Sequence, residues 1–225
     1  MIIVTGASKG LGKAISSRLV EAGHEVCGLA RNISNIDMMS YECDVSSYSS
    51  VKSVAKKLKQ KKSIIKAVVN AAGSASMNLA LTTPPNVTKE LISTNLMGTI
   101  FCCQLFAPLL IRSKGGSIIN FSTVAVSIGL KGESIYVASK AGVEAFSRSF
   151  AREVADFNIR VNCIAPGPIE TDLIKGVNSQ LISDVVKKQV IPRQFEKQDV
   201  CDIVESLLDK KLNTLSGQVL HIGGI

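Results

Sequence analysis

Tryptophan is absent from the 225-residue chain, and aromatic residues of all kinds make up only 4% of it. A core of that composition is built from small aliphatic side chains, as in parallel sheets buried on both faces. The same scarcity speaks against a base-stacking surface for single-stranded nucleic acid, because no aromatics interleave with the basic residues. Histidine is limited to His24 and His221, and neither stands at ligand spacing from a cysteine. The six cysteines form no C-x-x-C pair and mostly sit within apolar runs. This argues against a metal site and against a secreted disulfide framework. Buried, reduced thiols in a cytoplasmic protein are the expectation.

Long apolar runs are also missing. The longest, TIFCCQLFAPLLI (Thr99–Ile111), is too short and interrupted to span a bilayer and reads as a buried helix. A strand-like run begins at residue 2, which leaves no room for a signal peptide ahead of it. There is no internal repeat, low-complexity tract or linker, so residues 1–225 are expected to form a single domain. That length can bury a substantial core without disulfide or metal. The net charge is +8, and much of it lies in KSVAKKLKQKK (Lys52–Lys62), which holds six lysines. Val51, Val54, Ala55 and Leu58 recur there at helical spacing and mark the buried stripe. The lysines then form a solvated face, and neither nucleic acid nor membrane is expected as a partner.

What is present is alternation. Strands are expected at Met1–Thr5, Glu25–Ala30, Met39–Val45, Ile64–Asn70, Gly115–Ser122, Asn158–Pro166 and Gln218–Gly224. Helical periods fall at Leu11–Glu21, Val51–Lys61, Thr88–Ser113 and Glu133–Asp156, with one or two more helices in 171–210. Such βαβ repetition implies an α/β three-layer sandwich of Rossmann type. Its seven-stranded parallel sheet is expected in the order 3-2-1-4-5-6-7. Only Arg31–Met38 separates the second and third strands. A crossover helix needs about a dozen residues, so this one is expected to be shortened or absent. Ligands of such sheets bind beyond the carboxyl ends of the strands, which makes the strand-to-helix loops the place to look for chemistry.

The first loop, TGASKGLG, has glycines in a G-x-x-x-G-x-G spacing. Gly6, Gly10 and Gly12 remove side chains where a phosphate would approach the backbone at a helix N-terminus. Ser8, Lys9 and Leu11 complete this candidate cofactor loop. The second strand ends in LARN, without the carboxylate that would bind a ribose 2′-hydroxyl. Arg31 and Lys9 instead suit a 2′-phosphate, which points to NADP(H). CDV places Asp44 and Val45 at the end of the third strand, where Asp44 could accept from an adenine amino group. NAAG ends the fourth strand with Asn70, Ala71 and Gly73, small enough to admit a flat ligand. On a helix, Tyr136 and Lys140 share a face. The amine would favour phenolate and draw the tyrosine down from about 10, so that it could exchange a proton with an alcohol oxygen.

These motifs, with Asn95, the Ser122–Thr123 pair and PGPIETDL, stand in the order of the classical short-chain dehydrogenase/reductases. The resemblance runs over nearly the whole chain, and within the family the chain resembles the bacterial 3-oxoacyl-(acyl-carrier-protein) reductases through IRVNCIAPGPIETDL and SGQVLHIGG. It implies that Tyr136 is the general acid in reduction and that Lys140 tunes it while holding the nicotinamide ribose. Asn95 would anchor a water that relays protons to Lys140. The family's serine stands thirteen residues before the tyrosine, which is Thr123 here and not Ser122. Pro166, Gly167 and Ile169 would border the nicotinamide, with Thr171 at its carboxamide.

The resemblance further implies a carbonyl substrate, a small ketone or a 3-oxoacyl thioester. It adds an acyl carrier protein as a candidate partner, a role in fatty-acid synthesis, and a homotetramer or homodimer. Basic residues near the pocket mouth would meet the acidic carrier. Lys114 suits one such position, and Phe157 stands at another. A different class stays open, a protein that binds NADP as a scaffold or sensor without turnover. The pocket itself would be shaped by 75–85, 125–132 and 174–190.

Overall fold

The computed structural model describes residues 1–170 and 179–225. Seven parallel strands form one sheet, β1 (Ile2–Thr5), β2 (Val26–Ala30), β3 (Ser40–Glu42), β4 (Ala67–Asn70), β5 (Gly116–Phe121), β6 (Ile159–Ala165) and β7 (Val219–His221). Their order is β3-β2-β1-β4-β5-β6-β7, as the sequence pattern predicts. Every residue of β1, β2 and β4 is buried. This is the signature of a sheet covered on both faces, and it explains why these strands read as continuous apolar runs instead of alternating ones.

Helices α1 (Gly10–Glu21) and α8 (Lys197–Leu208) cover one face, where Ile15, Leu19, Val200 and Val204 meet Val4, Val69 and Ile164. Helices α2 (Tyr48–Gln60), α4 (Gly98–Arg112) and α6 (Ser134–Glu153) cover the other. There Val51, Leu58, Phe106, Leu110 and Phe150 meet Ile3, Val68 and Ile118. On α2 the residues Val51, Val54, Ala55 and Leu58 are buried, while the lysines of the same helix are exposed. The helices α3 (Pro85–Leu91), α5 (Ala125–Ile128) and α7 (Ser179–Lys188) lie at the carboxyl side of the sheet's connections. No helix occurs between β2 and β3, so that crossover is reduced to turns. All six cysteines are free and buried.

One long helix expected over Thr88–Ser113 is interrupted. Between α3 and α4, Ile92–Met97 forms a π-turn, with one extra residue per turn. Through this turn, Pro85–Arg112 is one 28-residue helical run, longer than the apolar stretch read from sequence and apolar enough by composition to cross a membrane. Half of its most apolar window is buried within the protein. Cys102, Cys103, Phe106 and Leu110 belong to the core on that side of the sheet, which is the placement of a core helix.

Candidate active site

The loops at the carboxyl ends of β1 to β6 converge on one edge of the sheet. After β1, Gly6 has φ +71°, and a Cβ there would stand 2.9 Å from the Cα of Ala72. Glycine is required both for the turn and for the approach to the β4 loop. A Cβ on Gly12 would come within about van der Waals overlap of the Gly6 carbonyl, so α1 starts tight against the loop. Lys9 precedes α1 without capping it through its side chain, and no acidic residue lies in the first turn. Free N–H groups and the dipole there suit a phosphate. Thr5 Oγ1 accepts from the Ala72 backbone N–H at 3.0 Å and ties this loop to NAAG.

On the adenosine side, Lys9 and Arg31 are both exposed. The Asn32 side chain accepts from the backbone N–H and hydroxyl of Ser34 at 2.9 and 2.6 Å, which leaves Arg31 as the cation at the end of β2. Asp44 accepts from the backbone and hydroxyl of Ser46 through Oδ1, at 2.9 and 2.7 Å, so only Oδ2 is left for a ligand. Val45 is buried, packed on Gly98 at the start of α4. Asn70 is wired inward: its Nδ2 donates to Asn120 Oδ1 at 2.8 Å and to Cys103 Sγ at 3.5 Å. Ala71 and Gly73 line the approach, and a Cβ on Gly73 would stand 3.2 Å from Asn95 Oδ1 and 3.6 Å from Lys140 Nζ. A side chain there would crowd Asn95, so glycine suits the close approach of a flat ligand.

The structure brings Thr123, Tyr136, Lys140 and Asn95 together. Lys140 is 7% exposed, and its Nζ donates to the Phe121 carbonyl at 2.9 Å. It lies 6.0 Å from the centre of the Tyr136 ring. Burial pulls the ammonium down from its usual 10.5 to about 8. The expected depression of the phenol does not occur. Burial pushes Tyr136 well above its ordinary value, the Glu133 carboxylate adds to this, and a hydrogen bond with Thr123 opposes both. Burial is the largest effect, and Lys140, whose Nζ lies 6.0 Å from the ring centre and is bonded to a backbone carbonyl, does not offset it.

The two neighbouring hydroxyls separate cleanly. Thr123 bonds the Tyr136 side chain and also accepts from the Ala125 backbone N–H at 3.2 Å. Ser122 is buried and donates to Glu144 Oε1 at 2.6 Å, two turns further along α6 than Tyr136. Asn95 is fully buried in the π-turn. Its Oδ1 accepts from the Ser74 N–H at 2.8 Å, and its Nδ2 donates to the Ser74 carbonyl and to Ser139 Oγ at 2.9 and 3.0 Å. A water at Asn95 therefore has to use the backbone carbonyl, which also accepts from Thr99 Oγ1 at 2.8 Å. Pro166 is buried, Gly167 is half-buried, and Ile169 is buried and bridged to Phe195. Thr171 lies outside the described residues.

Lys114 and Phe157 are placed otherwise than expected. They precede β5 and β6, at the amino edge of the sheet, opposite to Tyr136. Sequence reasoning also missed Ser139, Ser74, Glu133 and Glu144. Ser139 donates to the Tyr136 carbonyl at 2.6 Å and receives Asn95. Its signal was a small polar residue on the buried stripe of a helix.

A glycine-lined phosphate loop at the carboxyl edge of a parallel sheet, facing a buried lysine and a tyrosine, defines a dinucleotide-binding α/β oxidoreductase. The model of the short chain dehydrogenase family matches residues 1–182, and the chain belongs to that family. It is an oxidoreductase of a family that uses a nicotinamide cofactor, NAD or NADP. It is 30% identical to a 3-oxoacyl-(acyl-carrier-protein) reductase of Staphylococcus aureus, over 99% of this chain and 96% of that one. It is 35% identical to carbonyl reductase family member 4 of Xenopus laevis, over 98% and 95% of the two chains. The ligand-free structure of Thermoplasma acidophilum aldohexose dehydrogenase superposes with a TM-score of 0.89 at 30% identity, covering 99% of this chain and 92% of that one.

Proposed function

We propose that the protein is an NADPH-dependent carbonyl reductase with Tyr136 as general acid, acting on a 3-oxoacyl thioester. The single observation that carries this is the cluster of Tyr136, Thr123, Lys140 and Asn95 around the space that Gly73 leaves open. The loop after β1 would hold the pyrophosphate, Arg31 and Lys9 a 2′-phosphate, and Lys140 the nicotinamide ribose. When bound, the nicotinamide supplies the hydride.

The chain's own groups do the rest. Thr123 holds the substrate carbonyl by its hydroxyl, beside the phenol. Tyr136 stays protonated at neutral pH because burial and Glu133 both disfavour phenolate. It therefore gives its proton to the carbonyl oxygen as charge develops there, a contribution of about 10²–10⁴-fold for a well-placed acid. Lys140 follows to restore that proton, supplied in turn through water on the Asn95 carbonyl. Relatives that act on acyl carrier thioesters and on other carbonyl compounds support the substrate class.

The test mixes the protein with NADPH and acetoacetyl thioesters, of coenzyme A and of the carrier protein, and follows nicotinamide absorbance. Turnover of other ketones alone would reassign the substrate. A preference for NADH would overturn the Arg31–Lys9 argument and point to the exposed Glu42 carboxylate, which is in register with Ala30 at the end of β2.

A further inference from the structure

We propose that Glu144 is a positioning residue, whose carboxylate holds Ser122 out of the substrate space and so presents Thr123 to it. The claim deepens the reading above and rests on it for its kinetic arm. Helix α6 reads the end of β5 at three successive turns. Tyr136 bonds the Thr123 side chain, Lys140 Nζ bonds the Phe121 carbonyl, and Glu144 Oε1 bonds the Ser122 hydroxyl. Residues four apart on a helix share a face, so one rigid element grips three consecutive residues.

A carboxylate on this buried stripe is out of place unless something requires it. Glu144 is 8% exposed and flanked by Val143 and Ser147, both buried. Its second oxygen stands 3.7 Å from Arg148, one turn on. Its bond to Ser122, at 2.6 Å, is a short charge-assisted one. Ser122 is also tied through its backbone N–H to the Ile164 carbonyl of β6 at 2.7 Å. With both groups held, the next residue leaves the sheet in one direction, with its hydroxyl on Tyr136.

The experiment compares wild type with Glu144→Leu, Glu144→Gln, Ser122→Ala and the Glu144→Leu/Ser122→Ala pair. Steady-state kinetics and nucleotide affinity are measured beside the order of the Thr123 methyl group by NMR relaxation. Glu144→Leu is expected to lower kcat by about tenfold through misplacement of Thr123, with nucleotide Kd unchanged. Glu144→Gln, which keeps the acceptor, is expected to restore most of the loss. The pair should be no worse than Glu144→Leu alone, since both changes break one contact. An unchanged kcat in Glu144→Leu, a Gln variant as poor as Leu, or additive losses in the pair would each overturn the proposal. A wild type without carbonyl turnover would fail the functional reading instead. The methyl group then decides alone: averaging in Glu144→Leu but not in wild type supports the positioning role, and equal order in both overturns it.

Discussion

Lys140 carries its charge where burial disfavours it, at about 8 instead of 10.5. The native state therefore binds the proton less tightly than the unfolded chain does. Below about 8 both states are protonated and the full cost of burial applies, up to about 3 kcal/mol. As pH rises from about 8 towards 10.5 only the unfolded chain stays charged, so the cost is relieved. Lys140→Met should then stabilise the protein at pH 7 by about 1–2 kcal/mol, less the lost bond to Phe121. That gain should shrink towards pH 10, as urea unfolding would show. A destabilised variant would contradict it. Glu133 gives a second test. Its charge disfavours the Tyr136 phenolate, so Glu133→Gln should lower the phenol's titration. The chain has no tryptophan and only three tyrosines, so phenolate absorbance in a Tyr41→Phe/Tyr48→Phe background can follow it. Tyr136 and Lys140 were legible because helical spacing is local. Ser139 and Glu144 were not, because their partners Asn95 and Ser122 lie more than twenty residues away, and Glu133, though one turn from Tyr136, acts on it only where both are withdrawn from water. The direction of the tyrosine shift was misread for a related reason: it depends on burial, which no spacing encodes.

Element geometry explains where Asn95 sits. A regular helix over Thr88–Ser113 would turn by about 100° per residue throughout. The π-turn inserts one residue and places Asn95 between Ser74 and Ser139. Deleting Met97, which is 42% exposed, should return the run to α-geometry and swing Asn95 off those partners. The expected result is a loss of turnover of at least about 10²-fold with the circular dichroism of the fold retained. Retained activity would show that the insertion is incidental. The apolar period of this run was readable, and the extra residue was not, because Ile92–Met97 contains no proline or glycine to mark it. The missing crossover between β2 and β3 was readable, since Arg31–Met38 is too short for a helix. Lys114 and Phe157 were misassigned for the opposite reason, a local resemblance that says nothing about which edge of the sheet a loop occupies.

At the scale of the whole molecule, the parallel sheet and its two-faced core follow from alternation and burial, and the strand order is that of a Rossmann-type sheet. The outer sides of the π-turn, α4 and α6 leave Met97 and Ile111 exposed, with Phe101, Leu105 and Phe146 only partly buried. We expect a homodimer or homotetramer through these helices. Light scattering showing a monomer at micromolar concentration would contradict that. The central claim is that this site moves a proton from Tyr136 to a substrate carbonyl, and the most direct measurement is turnover of NADPH with an acetoacetyl thioester by wild type and Tyr136→Phe. The account predicts a loss of at least about 10²-fold in kcat with nucleotide Kd unchanged. Equal turnover by the two proteins would contradict it.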